Sequence, residues 1–292
     1  MTTYRVTHVT KYEYAAEVSS SYGEVHLLPR DLPGQQVLSR SLTIDPAPHD
    51  LRARSDYYGN RTSFFTILVP HVQLTITASS TVSVQAPTDV TLFASAAWET
   101  ARDSLRSAPD PETVDAVEFA FDSPSVAAAP ALAAFAAPAF SPGRPLLEAV
   151  AALSSSIHDG FEYDTEATDV GTPVLEVLER KAGVCQDFAH LLIGALRSIG
   201  LAARYVSGYL ETDPPPGVER LTGADRSHAW VSVWVPDAGW VDVDPTNDRF
   251  VNDRYVTTGW GRDYQDVAPV KGVIFTDATS NTLDVSVDVA RV

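Results

Sequence analysis

Thiols, lysines and basic charge are scarce in this chain. Cys185 is the single cysteine among 292 residues, so an internal disulfide is excluded. No CxxC pair or HxxxH spacing suggests a closed zinc site, and no cofactor or metal is expected. Lysine occurs only at Lys11, Lys181 and Lys271, and the formal net charge is -17. Coulomb repulsion then opposes phosphate backbones and anionic lipid, so neither nucleic acid nor a membrane is an expected partner. The N-terminus lacks a basic-then-apolar signal region and no apolar run reaches spanning length, a pattern that reads as cytoplasmic.

What is present is enough to fold. Hydrophobic residues make up 45% and charged residues 20%, as in ordinary globular proteins. From Tyr4 to about Pro87, "YRVTHVTKYEY", "VLSRSLTIDP", "RTSFFTILV" and "VQLTITASSTVSVQ" alternate like strands and are separated by turn signals. Residues 1–88 are therefore predicted to form a β-sandwich-like domain. Residues 89–144 are rich in alanine and proline, and proline limits each helical piece to a few turns. They read as a connector with short helices lying over the surface. Residues 145–292 are predicted as an α+β domain. In it Thr172 would cap one helix with Pro173 at its first position. A buried central helix would follow Cys185 and stop at Gly200. Strands "AARYVSGYL", "HAWVSVWV" and "WVDVDP" come next, a polar loop at 211–227 separating the first two, and the tail reads as a further strand pair.

A lone cytosolic cysteine is more often a small buried hydrophobe than a nucleophile. Cys185, however, stands where a helix N-terminus favours the thiolate, and Gly183 would let a substrate carbonyl approach. The later strands supply the remaining chemistry. His228, Trp230, Ser232 and Trp234 share one strand face, as do Trp240, Asp242 and Asp244. If Trp234 lies opposite Trp240, His228 and Asp244 become diagonal neighbours roughly 7 Å apart. A register slipped by one residue would put them on opposite faces. In the first register Asp244 would orient His228, and His228 would activate Cys185 and later protonate a leaving group. Trp230 and Trp240 are assigned to packing. His190 lies about 140° around the helix from Cys185 and reads as a core histidine. Asp187 reads as a first-turn charge, with a substrate contact as the alternative, and Arg262, Asp263 and Tyr264 read either as lining the cleft, where an Arg-Asp pair could position a peptide, or as structural salt bridging.

The segments "GVCQDFAHLLIGALRSIGLAARYVSGYL", "SHAWVSVWVPDAGWVDVDPTND" and "WGRDYQDVAPVKGV" resemble the core of the bacterial transglutaminase-like family, whose members are often labelled candidate cysteine proteases. "HLLPRDLPGQQVLSRSLTIDPAP" and "DYYGNR" resemble the β-rich module that precedes that core. The resemblance implies a papain-like transglutaminase core, a central helix packed on an antiparallel sheet. It also implies Cys185 as nucleophile, His228 as general base and acid, and Asp244 as orienting carboxylate. Animal transglutaminases carry tryptophan directly after the cysteine, where this chain has Gln186, which counts against calcium-dependent cross-linking.

The function expected is cysteine-dependent acyl transfer on a peptide or protein amide through a thioester, as a protease or amidase. Transfer to an amine is the nearest alternative. A non-catalytic binding module on the same fold ranks behind, because no candidate residue is missing. Arylamine acetyl transfer ranks behind too, because no coenzyme A site is visible. The backbone N–H of Cys185 is one expected oxyanion donor.

Overall fold

Alternation builds the first strand, β1 (Thr2–Val25), in which Tyr4, Val6, His8 and Thr10 are buried and Arg5 is exposed. The computed structural model describes residues 1–86, 95–108, 110–212, 227–236 and 238–292. After β1 come β2 (Gln35–Asp45), β3 (Asp50–Ser55), β4 (Arg61–Ile67) and β5 (His71–Val84), in the antiparallel order β2-β5-β1-β4-β3. The β1–β5 register shifts between Glu13 and Val18, and beyond that point β1 pairs with β4 from Ser21 to Val25. Such a break bends a strand, so the two halves of one sheet fold over each other as in a sandwich. Tyr14 and Val18 at the bend meet Ile44, Phe65 and Ile76 in a single buried cluster. All six residues of β3 are exposed, so this edge strand has no buried face.

The Ala/Pro-rich stretch forms α1 (Trp98–Ser107), α2 (Pro111–Val117) and α3 (Pro130–Ala136). Pro111 and Pro130 open their helices, where no N–H is missed. The expectation of a surface connector over 89–144 is corrected: Ala101, Val126, Leu132 and Ala136 are fully buried in the main core. Small alanines let these short helices approach closely enough to be part of it.

Next come α4 (Leu146–Gly160), β6 (Glu162–Tyr163), α5 (Val174–Arg180), β7 (Ala182–Gly183) and α6 (Cys185–Ser198). Pro173, not Thr172, occupies the N-cap of α5, and the Thr172 hydroxyl accepts the Asp169 N–H at 2.9 Å instead. The central helix α6 is buried nearly all round, with Leu191, Leu192, Ala195 and Leu196 at zero exposure. A Cβ on its Gly194 would stand 2.9 Å from Leu132, so glycine is what lets α3 dock there. The chain then forms β8 (Ala203–Leu210), β9 (Ser227–Val235), β10 (Gly239–Asp244), β11 (Arg249–Phe250) and β12 (Tyr255–Gly261), a sheet ordered β11-β10-β9-β8-β12. Of the polar loop expected at 211–227, residues 213–226 lie outside the described residues.

The last two strands, β13 (Val270–Thr276) and β14 (Asn281–Arg291), do not join this second sheet. Both pair with β1, β14 along Tyr4–Tyr14 and β13 along Val18–Val25. The predicted domain of 145–292 is corrected accordingly: its tail completes the N-terminal sheet, and everything between β5 and β13 is inserted into that sheet. Alternation such as "LDVSVDV" suits any antiparallel edge and does not name its partner. The burial does: Val287 and Val289 join Tyr4, Val6 and Val82 in a seam against Tyr209 and Val256 of the second sheet. Among the described residues, no helix is long and apolar enough to cross a membrane.

Candidate active site

Cys185 is the first residue of α6 and is partly buried. First-turn N–H groups have no intrahelical partners and carry the positive end of the helix dipole, so a thiolate there meets favourable charge. Asp187 builds the entry to the helix. Its Oδ2 accepts the Val184 N–H at 2.9 Å and the Thr168 hydroxyl at 2.6 Å. A Cβ on Gly183 would stand 2.7 Å from Asp187 Oδ2, so the position must be small to admit that carboxylate. Burial raises the Asp187 pKa, against the pull of those two hydrogen bonds. Gln186 donates through Nε2 to the Val170 carbonyl at 3.2 Å, which commits its amide to the loop before α5.

In the second sheet Trp240 pairs with Trp234 and Val243 with Val231, the register that puts His228 and Asp244 on one face. His228 Nε2 and Asp244 Oδ2 are 2.7 Å apart. Asp244 and Cys185 both act on this imidazole in favour of its protonated form, which places Cys185 of α6 in its neighbourhood. With Nε2 turned to the carboxylate, Nδ1 is the nitrogen left to face another group.

Asp244 has zero exposure and is saturated with donors. Its Oδ2 receives His228 Nε2, the Asn247 side-chain amide at 2.7 Å and the Tyr255 hydroxyl at 2.8 Å. Its Oδ1 receives the N–H groups of Thr246 at 2.9 Å and Asn247 at 3.2 Å. Burial alone would raise the carboxyl pKa, but these bonds and the charge of His228 hold it below the ordinary value. Burial likewise opposes a charged His228, yet the bond to Asp244, its negative charge and the influence of Cys185 outweigh it and push its pKa up to about 10. At neutral pH the imidazole is thus an imidazolium beside the Asp244 carboxylate.

Tyr255 and Asn247 are site residues that the sequence reading did not find. Asn247 sits three residues after Asp244, an Asx-type spacing that is a usable signal. Tyr255 has none, because β12 and β10 are separated by two strands. Only the curl of the sheet brings its hydroxyl to Asp244. Gly208, paired with His228, makes room for that curl: a Cβ there would stand 2.2 Å from the Val256 carbonyl oxygen and 2.5 Å from the Trp230 ring.

Trp230, Trp240 and His190 take the structural roles expected, and Arg262 pairs with Asp266 rather than with Asp263. Trp230 is fully buried and donates through Nε1 to Asp242 at 3.0 Å, and Trp240 packs edge-on against Phe119 and Trp234. His190 is buried, with its pKa lowered by burial to about 4, and its Nε2 accepts the Tyr264 N–H at 3.1 Å. Arg262 forms a two-pronged ion pair with Asp266. Asp263, at zero exposure, accepts the N–H groups of Ser125 and Gln265. Among the described residues, no group of three or more His, Cys, Asp and Glu side chains is arranged to hold a metal.

Known proteins are similar to this chain in part or over nearly its whole length. Residues 4–83 match the bacterial transglutaminase-like N-terminal region, and residues 133–245, which span Cys185, His228 and Asp244, match the transglutaminase-like superfamily core. An uncharacterized protein of Mycobacterium tuberculosis is 46% identical over 293 residues, covering 98% of this chain and 92% of that protein. A protein-glutamine gamma-glutamyltransferase of Pseudomonas aeruginosa is 31% identical over 106 residues, 35% of this chain and 16% of that enzyme. The crystal structure of a candidate cysteine protease from Cytophaga hutchinsonii has the same fold, with a TM-score of 0.74 at 18% identity over 99% of this chain and 98% of that one.

Proposed function

Because the chain belongs to the transglutaminase-like superfamily, we propose that it is a cysteine-dependent acyl-transfer enzyme that cleaves peptide or side-chain amides through a thioester at Cys185. The observation that carries this reading is the His228 imidazolium bonded to Asp244 at 2.7 Å, in the neighbourhood of Cys185 at the start of α6.

The thiolate adds to the amide carbonyl carbon, forming a C–S bond and placing negative charge on oxygen. The Cys185 N–H, free at the start of α6, donates to that oxygen. Collapse breaks the C–N bond, and His228 gives its proton to the departing amine. Water then attacks the thioester, His228 takes its proton, and the acid leaves with the C–S bond broken. Asp244 holds Nε2 throughout, so Nδ1 stays aimed at the reacting atoms. An amine in place of water gives transfer rather than hydrolysis, the reaction in the name of the Pseudomonas relative. Hydrolysis is the reading adopted, because water is always present and no amine-binding feature is visible.

The test is covalent labelling with a thiol-directed acylating probe, followed by mass spectrometry of the intact protein. Wild type gains one acyl group at Cys185, and Cys185→Ser gains none. Equal labelling of the two would refute the reading. Turnover of an amide library with and without added amines then separates hydrolysis from transfer.

A further inference from the structure

We propose that Gln35 and Asn60 are positioning residues for the His228–Asp244 pair: from the turns that open β2 and β4, their side-chain amides fix the edge strand β12, which carries the Tyr255 hydroxyl to Asp244. The proposal concerns the placement of that pair and goes beyond the thioester reading.

An edge strand presents backbone groups that no further strand pairs. β12 is an edge of the second sheet, and two buried amides stand where another strand would be. Gln35 Oε1 accepts the Thr257 N–H at 2.8 Å, and Gln35 Nε2 donates to the Thr257 carbonyl at 2.8 Å. Asn60 Oδ1 accepts the Trp260 N–H at 3.0 Å, and Asn60 Nδ2 donates to the Trp260 carbonyl at 2.7 Å. Each amide thus repeats the two-bond exchange of an antiparallel ladder. Residues that face outward from a regular strand are two apart. These are three apart, because the β12–β8 register skips Thr258. The amides therefore grip the strand on either side of a bulge, and bulges re-aim the side chains around them. Gly259 makes room for the grip, since a Cβ there would stand 2.8 Å from Asn60 Cγ.

Both amides are locked from their own side. Gln35 closes a turn on Leu32 through Gly34 at a φ of 83°, and its Nε2 also donates to the Arg30 carbonyl at 2.8 Å. Asn60 is held by Asp56 through its N–H at 2.7 Å and its Nδ2 at 2.8 Å. Arg30 donates to Asn60 Oδ1 at 2.6 Å, and its guanidinium lies 3.5 Å from the Trp260 ring centroid. These residues belong to "PRDLPGQQ" and "DYYGNR", segments to which the acyl-transfer chemistry gives no task. The path from them to the site is short. Thr257 pairs with Gly208 and Gly208 with His228, so the Gln35 amide continues the row that ends at His228. Two residues before Thr257, and on its face of the strand, Tyr255 packs edge-on against Trp230 with ring centroids 5.3 Å apart and donates to Asp244.

The experiment is a cycle of variants of the whole chain, read by NMR titration of ¹³C-labelled histidine. Gln35→Met and Asn60→Ala each remove one amide, Tyr255→Phe removes the hydroxyl, and each amide variant is also combined with Tyr255→Phe. Ile76→Val loosens the core of the same sheet away from β12, and thermal melts check that every variant folds. Without the Tyr255 bond the Asp244 carboxylate is less neutralised. The expected result is a His228 pKa raised by about 0.5 pH unit in each amide variant, as in Tyr255→Phe. The combined variants should titrate like Tyr255→Phe alone, and Ile76→Val like wild type. A folded amide variant with His228 unmoved, or a shift that adds in full to that of Tyr255→Phe, overturns the proposal. An equal shift in Ile76→Val overturns it too, since general loosening would then account for the effect. The expected shifts in a protein whose Cys185 never acylates would uphold the clamp and refute the thioester reading alone.

Discussion

Replacing Asp244 by asparagine tests the electrostatic account of the site most directly. The rise of the His228 pKa from 6.5 to about 10 corresponds to roughly 5 kcal/mol in favour of the protonated form, at about 1.36 kcal/mol per pH unit. Asp244 is the first of the groups that favour it, and burial is the opposing influence. Without the carboxylate, burial dominates, and the His228 pKa should fall by several units, to near or below 6.5. Asparagine also cannot match the donors. With two N–H groups on one side and three donors on the other, its amide nitrogen faces donors whichever way it flips. Stability at pH 7 should therefore drop by about 3 kcal/mol or more. The sign with pH follows from the raised pKa. The stabilisation from His228 is complete below 6.5 and fades as pH climbs to about 10, so the gap between wild type and variant should narrow over that range. Titration of ¹³C-labelled histidine by NMR reads the first effect, and urea unfolding at pH 7 and 9 reads the second. A His228 in the variant that titrates within half a pH unit of wild type would refute the reasoning.

Three further outcomes are expected. Tyr255→Phe removes one of the donors on Asp244 and should cost about 1 kcal/mol in urea unfolding, with the His228 pKa rising slightly because the carboxylate is less neutralised. Gly208→Ala forces a methyl against the Val256 carbonyl oxygen and the Trp230 ring. It should lower stability by about 1–3 kcal/mol or more and slow labelling of Cys185, since His228 is the strand partner of Gly208. Leu132→Ala should cost about 2–5 kcal/mol although it lies in the Ala/Pro-rich stretch; a cost below 0.5 kcal/mol would restore the surface-connector reading.

The parts of this fold that are legible in the sequence are those set by local pattern. The long strands, α6 and the stop at Gly200 follow from alternation, helical spacing and one glycine. So does the meeting of His228 with Asp244, once Trp234 is set opposite Trp240. What is hidden depends on distant geometry. Tyr255 reaches Asp244 only because the sheet curls, a property spread over many residues and focused at Gly208. The destination of the tail is equally hidden, since Val287 and Val289 would suit either sheet. Gly183 was legible as a residue that must be small, and the neighbour that makes it so is Asp187. Proline made the 89–144 segment look like linker, although α3, which Pro130 starts, buries Leu132 and Ala136 in the main core.

The insertion of residues 85–269 between β5 and β13 bears on how the chain is made. A ribosome releases β1 long before β13 and β14, and β1 pairs with both. Until the tail emerges, the N-terminal sheet lacks two strands and the seam at Tyr209 and Val256 lacks Val287 and Val289. The Val292 N–H donates to the Thr3 carbonyl at 3.0 Å, so the pairing with β1 continues past β14. A translation product that stops short of β14 would carry Cys185 on α6 but leave this edge of β1 unpaired, so the N-terminal sheet closes only after the inserted residues have been made.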